Sequence, residues 1–151
     1  MTKSKLDSRV AILMCTYNGA SYLQEQLDSI RAQKYENWHL YVSDDGSQDS
    51  TLDILGNFKS RTGRLCIFQG PKSGFCQNFL SLICDNSIKA DYYALSDQDD
   101  IWYEDKLLRA VTALSGISCE TPALYCSRTK LVDERNNETG LSPLFKRTPG
   151  F

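Results

Sequence analysis

The sequence predicts an α/β fold, a mostly parallel sheet with helices on both faces. Three observations point there. Short apolar runs alternate with stretches of helical periodicity, and the first run, Val10–Cys15, is apolar throughout, as a strand buried on both faces must be. Each run ends in a polar loop. Strands alternating with helices imply right-handed crossovers and a sheet covered on both sides.

Taken in order, the run "VAILMC" leads through "TYNG" into a helix near Ala20–Gln33, with Leu23, Leu27 and Ile30 at i, i+4, i+7. A second strand, Trp38–Ser43, runs into "DDGSQDS", and a helix follows from about Ser50 to Phe58. The third unit is Leu65–Phe68, the loop "QGPKSG", and a helix carrying Phe75, Phe79 and Leu82 on one face. "YYALS" opens the fourth, followed by an acidic loop and a helix with Leu107, Val111 and Leu114. Ala123–Ser127 is expected to close the series as a fifth strand. From Lys130 to Phe151 the chain turns polar and irregular, with "DERNNETG" as a turn region. The expected organisation is a flexible 1–9, an α/β domain over 10–129, and a polar segment over 130–151.

A chain of 151 residues, 41% hydrophobic and 24% charged, can bury a real core. Its net charge of −2 gives no general attraction to nucleic acid or anionic lipid, so any phosphate in a ligand must be met locally. The six cysteines (Cys15, Cys66, Cys76, Cys84, Cys119, Cys126) form no C-x-x-C pair and stand with a single histidine, His39, which excludes a zinc pattern and suggests reduced thiols in the cytoplasm. No apolar run reaches membrane-spanning length.

Ligands of parallel α/β sheets bind at the carboxyl ends of the strands, and four polar loops are expected there. In "SDQDD", Asp97 and Asp99 have the D-x-D spacing that lets two carboxylates reach one hard cation, Mg²⁺ or Mn²⁺. The alternative is that Asp99 or Asp100 caps a helix beginning near Tyr103. A calcium EF-hand is excluded, because Trp102 stands where that loop needs glycine and Leu108 where it needs glutamate.

Asp44 and Asp45 end the second strand, where an acid of dinucleotide folds accepts hydrogen bonds from a nucleoside; a strand-turn-helix with Asp49 or Ser50 as cap is the plainer reading. In "CTYNGAS", Thr16, Tyr17 and Asn18 could meet a base or ribose, or the segment is a turn with Ser21 capping the helix. Neither a G-x-G-x-x-G nor a P-loop is present. Lys72 is the one cation among these loops, placed either beside a diphosphate or in solvent. Asn78 could fasten neighbouring loops, Trp102 reads as packing, and His39, mid-strand, is assigned no chemistry.

Read together, "VAILMCTYNGASYLQEQLDSIRAQKYENWHLYVSDDGSQDST" and "GFCQNF…DYYALSDQDDIWYEDKL" resemble the nucleotide-sugar-binding half of inverting glycosyltransferases with the Rossmann-like GT-A nucleotide-diphospho-sugar transferase fold. Within that group the likeness is to bacterial rhamnosyltransferase-like enzymes of polysaccharide assembly. It spans about Val10 to Ser127. The resemblance implies Thr16 and Tyr17 beside the nucleoside, Asp45 on the base, Asp97 near ribose or metal-bound water, and Asp99 on Mn²⁺ or Mg²⁺. It also implies a nucleotide-diphosphate sugar donor and a saccharide or lipid-linked saccharide acceptor. A lipid-linked acceptor would bring a cytoplasmic chain to the inner face of the cell membrane. Cys15 stands where many relatives have proline.

The family's general base lies downstream of anything matched here, so the sequence is expected to be truncated, with its base beyond Phe151. Two other readings stay open. One is a nucleotide-binding module without catalysis. The other, a nucleotidyltransferase, would carry a basic, glycine-rich loop after the first strand, and "TYNGAS" has no basic residue.

Overall fold

A computed structural model describes residues 7–118, 120–144 and 146. The chain divides into two compact units, one up to Gly116 and one from Ile117. In the first, β1 (Val10–Thr16), β2 (Trp38–Asp44), β3 (Leu65–Gln69) and β4 (Tyr92–Ser96) form a sheet ordered β3-β2-β1-β4, every pair parallel. Between and after them run α1 (Leu23–Arg31), α2 (Thr51–Thr62), α3 (Phe75–Ile83) and α4 (Lys106–Ser115).

Alternation along the strands splits the core in two. Val10, Ile12, Met14, Leu40 and Val42 face Leu23, Leu27 and Ile30 of α1, Leu55 and Phe58 of α2, and Leu107 and Val111 of α4. On the opposite face Ala11 and Leu13 meet Leu82 of α3 and Ile88. Three helices therefore cover one face and one covers the other. The chain steps outward from β1 to β3 through α1 and α2, then returns through α3 to place β4 on the other side of β1. The strand order reverses between β1 and β4, which is where such sheets open a crevice.

Several boundaries differ from expectation. The α2 helix continues past Phe58 to Thr62 and stops at Gly63, whose φ of 65° is the left-handed conformation that ends helices. Phe75, placed by periodicity on the apolar face of its helix, is 75% exposed, because it opens α3 at the mouth of the loop before the helix reaches the sheet. The expected strand Ala123–Ser127 does not form. Its residues pair with no strand and are exposed or half-exposed, and an apolar run becomes a strand only where a neighbour takes its backbone groups. The stretch after Lys130 is instead an antiparallel hairpin in the second unit, β5 (Lys130–Val132) with β6 (Glu138–Leu141). Its turn is held by Asp133, whose carboxylate accepts from the amides of Arg135 and Asn137.

The expected flexible segment 1–9 falls, for residues 1–6, outside the described residues. Just beyond them, the Tyr35 hydroxyl donates to the Ser8 carbonyl and the Arg9 amide donates to Asp91 at 2.6 Å. Cys15, Cys66, Cys76, Cys84 and Cys126 are free thiols, and Cys119 lies outside the described residues. Among the described residues no helix is long and apolar enough to cross a membrane.

Candidate functional site

The loops after β1, β2, β3 and β4 leave the same edge of the sheet. Register sets their relative heights: Thr16 pairs with Asp44 and Asp44 with Gln69, while Ser96 is level with Met14. Asp97 therefore emerges beside Cys15, one residue below the end of β1. Burial, together with the charges of Asp45 and Asp97, pushes the Cys15 thiol up to about 12. An uncharged thiol thus sits between the acids of β2 and β4.

Asp44 is the hub on the β1–β2 side. It is buried, and its carboxylate accepts from the Thr16 hydroxyl (2.8 Å), the Gly46 and Ser47 amides (3.1 and 2.8 Å) and the Ser47 hydroxyl (2.6 Å). Gly46 takes a φ of 98° in that turn, a conformation that favours glycine. The two loops are also stitched directly. The Asn18 amide donates to Ser47 Oγ, the Gln48 amide to Asn18 Oδ1, the Gly19 amide to Thr51 Oγ1, and the Ala20 amide to Asp49. Asp49 also accepts from the Thr51 amide at 3.0 Å, so the second loop closes at the start of α2. Ser21 caps nothing, because α1 begins at Leu23 after a further turn.

Asp45 points to the third loop. One carboxylate oxygen accepts from the Lys72 amide (2.6 Å) and the other from the Gly74 amide (3.1 Å). A carboxylate offers about four acceptor positions, so roughly two remain for a ligand. Gly70 makes this approach feasible. A Cβ there would lie 2.7 Å from Asp45 Oδ1, 2.8 Å from Asn78 Oδ1 and 2.9 Å from the Asp44 carbonyl. Asn78 is buried and donates to the Ser43 carbonyl, fastening α3 to β2 as its position suggested. The Lys72 side chain passes over Gly46, so the one cation of these loops lies across the second loop.

On the β4 side, Gln98 clasps the first loop: its Oε1 accepts from the Tyr17 amide (3.0 Å) and its amide nitrogen donates to the Tyr17 carbonyl (3.2 Å). Beneath it, buried Gln26 of α1 donates to Ser96 Oγ and to the Asp97 carbonyl, and Ser29 Oγ accepts from the Trp102 amide. Trp102 is core, with the Lys106 ammonium 4.9 Å from its ring centre. Neither Asp99 nor Asp100 caps a helix, because α4 starts only at Lys106 with Asp105 at the cap position. Burial first, then the charges of Asp97 and Asp99, raise the Asp100 carboxyl above its ordinary 3.8, with Lys106 opposing.

All the expected site residues thus lie on this edge: Thr16 buried in the hub, Tyr17 exposed above it, Asp45 on the third loop, Lys72 across Gly46, and Asp97 and Asp99 exposed on the fourth. Sequence reasoning passed over Asp44 as a hub, and also Gln98 and Gln26. Gln26 carried a signal, since it is a polar residue on the Leu23–Leu27–Ile30 face.

Among the described residues no three acids, histidines or cysteines form a ready cage. The two exposed carboxylates, Asp97 and Asp99, would suit Mg²⁺ or Mn²⁺, whose other ligands come from substrate phosphates and water.

Comparison with known proteins agrees with this geometry. The chain is 37% identical over 143 residues to the dTDP-rhamnosyl transferase RfbG of Shigella flexneri, covering 88% of this chain and 50% of that protein. It is 28% identical over 137 residues to an uncharacterized glycosyltransferase of Rickettsia typhi, covering 91% and 41%. The chain thus spans half or less of the length of these relatives. Two solved structures share the fold. The mannosyltransferase PcManGT of Pyrobaculum calidifontis, in complex with GDP-Man and Mn²⁺, gives a TM-score of 0.65 at 24% identity, over 71% of this chain and 32% of that one. Staphylococcus aureus TarS 1-349, in complex with UDP-GlcNAc, gives 0.60 at 24% identity, over 72% and 31%. The profile of glycosyl transferase family 2 matches residues 11–144, and the chain belongs to that family.

Proposed function

We propose that this chain is the donor-binding half of an inverting, metal-dependent glycosyltransferase of bacterial cell-surface polysaccharide synthesis, taking a sugar from a nucleotide-diphosphate sugar to a saccharide or lipid-linked acceptor on the cytoplasmic side. The observation that carries the reading is the cross-linking of four loops around the β1–β4 crevice, with acids entering from β2 and β4. The likeness to a dTDP-rhamnosyl transferase makes dTDP-rhamnose the first donor to test.

In this reading the exposed Tyr17 ring covers one face of the base, and Asp45, held by two amides, accepts a base N–H through its remaining lone pairs. Asp97 and Asp99 would hold a divalent cation, with Asp97 also near the ribose. When bound, that ion offsets the charge growing on the leaving nucleoside diphosphate. Lys72 adds a second positive charge beside the phosphates. Acceptor attack at C1 needs a general base, which this reading assigns outside residues 1–151. Because the loops are fastened to one another before donor arrives, little ordering opposes binding.

Calorimetric titration of dTDP and UDP with Mn²⁺ tests the assignment on wild type and Asp99→Ala. Metal-dependent binding by wild type and its loss in the variant are expected; equal binding by both would sink the metal assignment. Incubation with dTDP-rhamnose then separates turnover on an acceptor from binding or slow donor hydrolysis alone, the behaviour of a donor-binding module.

A further inference from the structure

We propose that a cleft at the opposite, amino-terminal edge of the sheet, bracketed by Arg9 and Arg64, binds a phosphate group. It has a volume of about 290 Å³, and His39, Tyr41 and Trp38 of β2 line it together with Glu36. This size is near the lower limit for small-molecule sites, right for a headgroup and too small for a nucleotide sugar.

Strand register brings the two arginines together. Arg9 directly precedes β1 and Arg64 directly precedes β3, so they flank β2; Leu65 pairs with Leu40, which puts Arg64 level with His39. Strands lie about 4.8 Å apart, so β1 and β3 are about 10 Å apart, and two arginine side chains span that distance onto one anion. Both guanidiniums are held by neutral partners. Arg64 stacks over the Trp38 ring at 5.2 Å and donates to the Glu36 carbonyl at 2.8 Å. Arg9 donates to the Lys89 carbonyl at 3.4 Å.

Each guanidinium has five donors, of which these bonds use one. Among the described residues neither arginine has an ion pair. Glu36, the one carboxylate of the lining, meets Arg64 through its backbone, and Asp91 is occupied by the Arg9 amide. Two arginines with no ion pair among the described residues, over an aromatic floor in a chain of net charge −2, form a local anion site with the fork geometry that phosphate matches. His39 reports on its occupancy. Burial and the charges of Arg64 and Arg9 hold its imidazole below the ordinary 6.5, and a bound dianion offsets those two charges.

The test is NMR titration of the labelled 151-residue chain with inorganic phosphate at constant ionic strength. Saturable shifts at the His39 ring and Arg64 Nε are expected, with the His39 pKa rising at saturation. Arg9→Gln and Arg64→Gln are each expected to weaken binding at least about tenfold while the other resonances keep their places. Asp99→Ala leaves phosphate binding intact, which separates this site from the donor site. Cosedimentation with phosphatidylglycerol vesicles identifies the source. Pelleting lost in Arg64→Gln assigns the phosphate to lipid, and phosphate binding without pelleting assigns it to a soluble ester. The absence of a saturable shift, or unchanged affinity in both arginine variants, overturns the proposal.

Discussion

Replacing Asp44 should damage this protein more than replacing any of the acids that face solvent. Its carboxylate ends four hydrogen bonds, two from the Gly46 and Ser47 amides and two from the Thr16 and Ser47 hydroxyls. It is 5% exposed, and Thr16 is 1% exposed. A hydrogen bond to a charged group contributes about 1.5–3 kcal/mol, and an abandoned buried partner costs about 1–3 kcal/mol. The four are not additive, and water reaches the half-buried Gly46 and Ser47, so Asp44→Ala is expected to cost about 3–5 kcal/mol. Domains of this size have about 5–15 kcal/mol to lose.

Asp44→Asn is the informative control. It keeps an oxygen for the two amides and turns a donor toward two hydroxyls that can rotate to accept, so a loss of about 1–2 kcal/mol is expected. Urea unfolding with comparison of midpoints at constant m measures both. A loss below about 1 kcal/mol for alanine, or asparagine as damaging as alanine, would refute the view of Asp44 as the charged hub of two loops.

Three further outcomes follow from the same geometry. Gly70→Ala places a methyl within 3 Å of Asp45, Asn78 and the Asp44 carbonyl, so a stability loss of about 1–3 kcal/mol with weaker donor binding is expected in urea unfolding and calorimetry. Gln98→Ala frees the Tyr17 backbone from two neutral bonds at an exposed site, and should weaken donor binding about 2- to 10-fold while leaving the unfolding midpoint nearly unchanged. His39 has a folded pKa below its unfolded value of about 6.5, so the unfolded chain takes up that proton first; its contribution is full above 6.5 and declines as pH falls toward the folded pKa. His39→Gln should therefore flatten the pH dependence of the urea midpoint below 6.5, and an unchanged profile would contradict the assignment.

The parts of the fold that could be read in advance are those where one local signal suffices. The Tyr92–Ser96 run is bounded by Asp91 and Asp97 and is a strand over that span. Leu23, Leu27 and Ile30 recur at helical spacing and are fully buried. Local signals fail where burial depends on a neighbour far along the chain. Ala123–Ser127 has the composition of a strand but no partner for its backbone, and Phe75 has helical spacing but sits where the helix has not yet met the sheet. Gly63, by contrast, was legible and overlooked: a glycine five residues past Phe58 marks the true end of α2.

The adjacent acids Asp44 and Asp45 show where sequence reading stops for a physical reason. From sequence alone a strand-turn-helix accounts for one carboxylate there, not two. Consecutive side chains at a strand end point to opposite faces of the sheet, so the two carboxylates diverge. Asp44 turns toward β1 and gathers Thr16, Gly46 and Ser47; Asp45 turns toward β3 and gathers Lys72 and Gly74. Together they hold three loops from one strand end, and the half-buried member keeps about two acceptor positions beyond its two amide bonds. Period-two alternation predicts that such a pair diverges. Which side meets the third loop depends on β3 lying next to β2, and only the strand order supplies that.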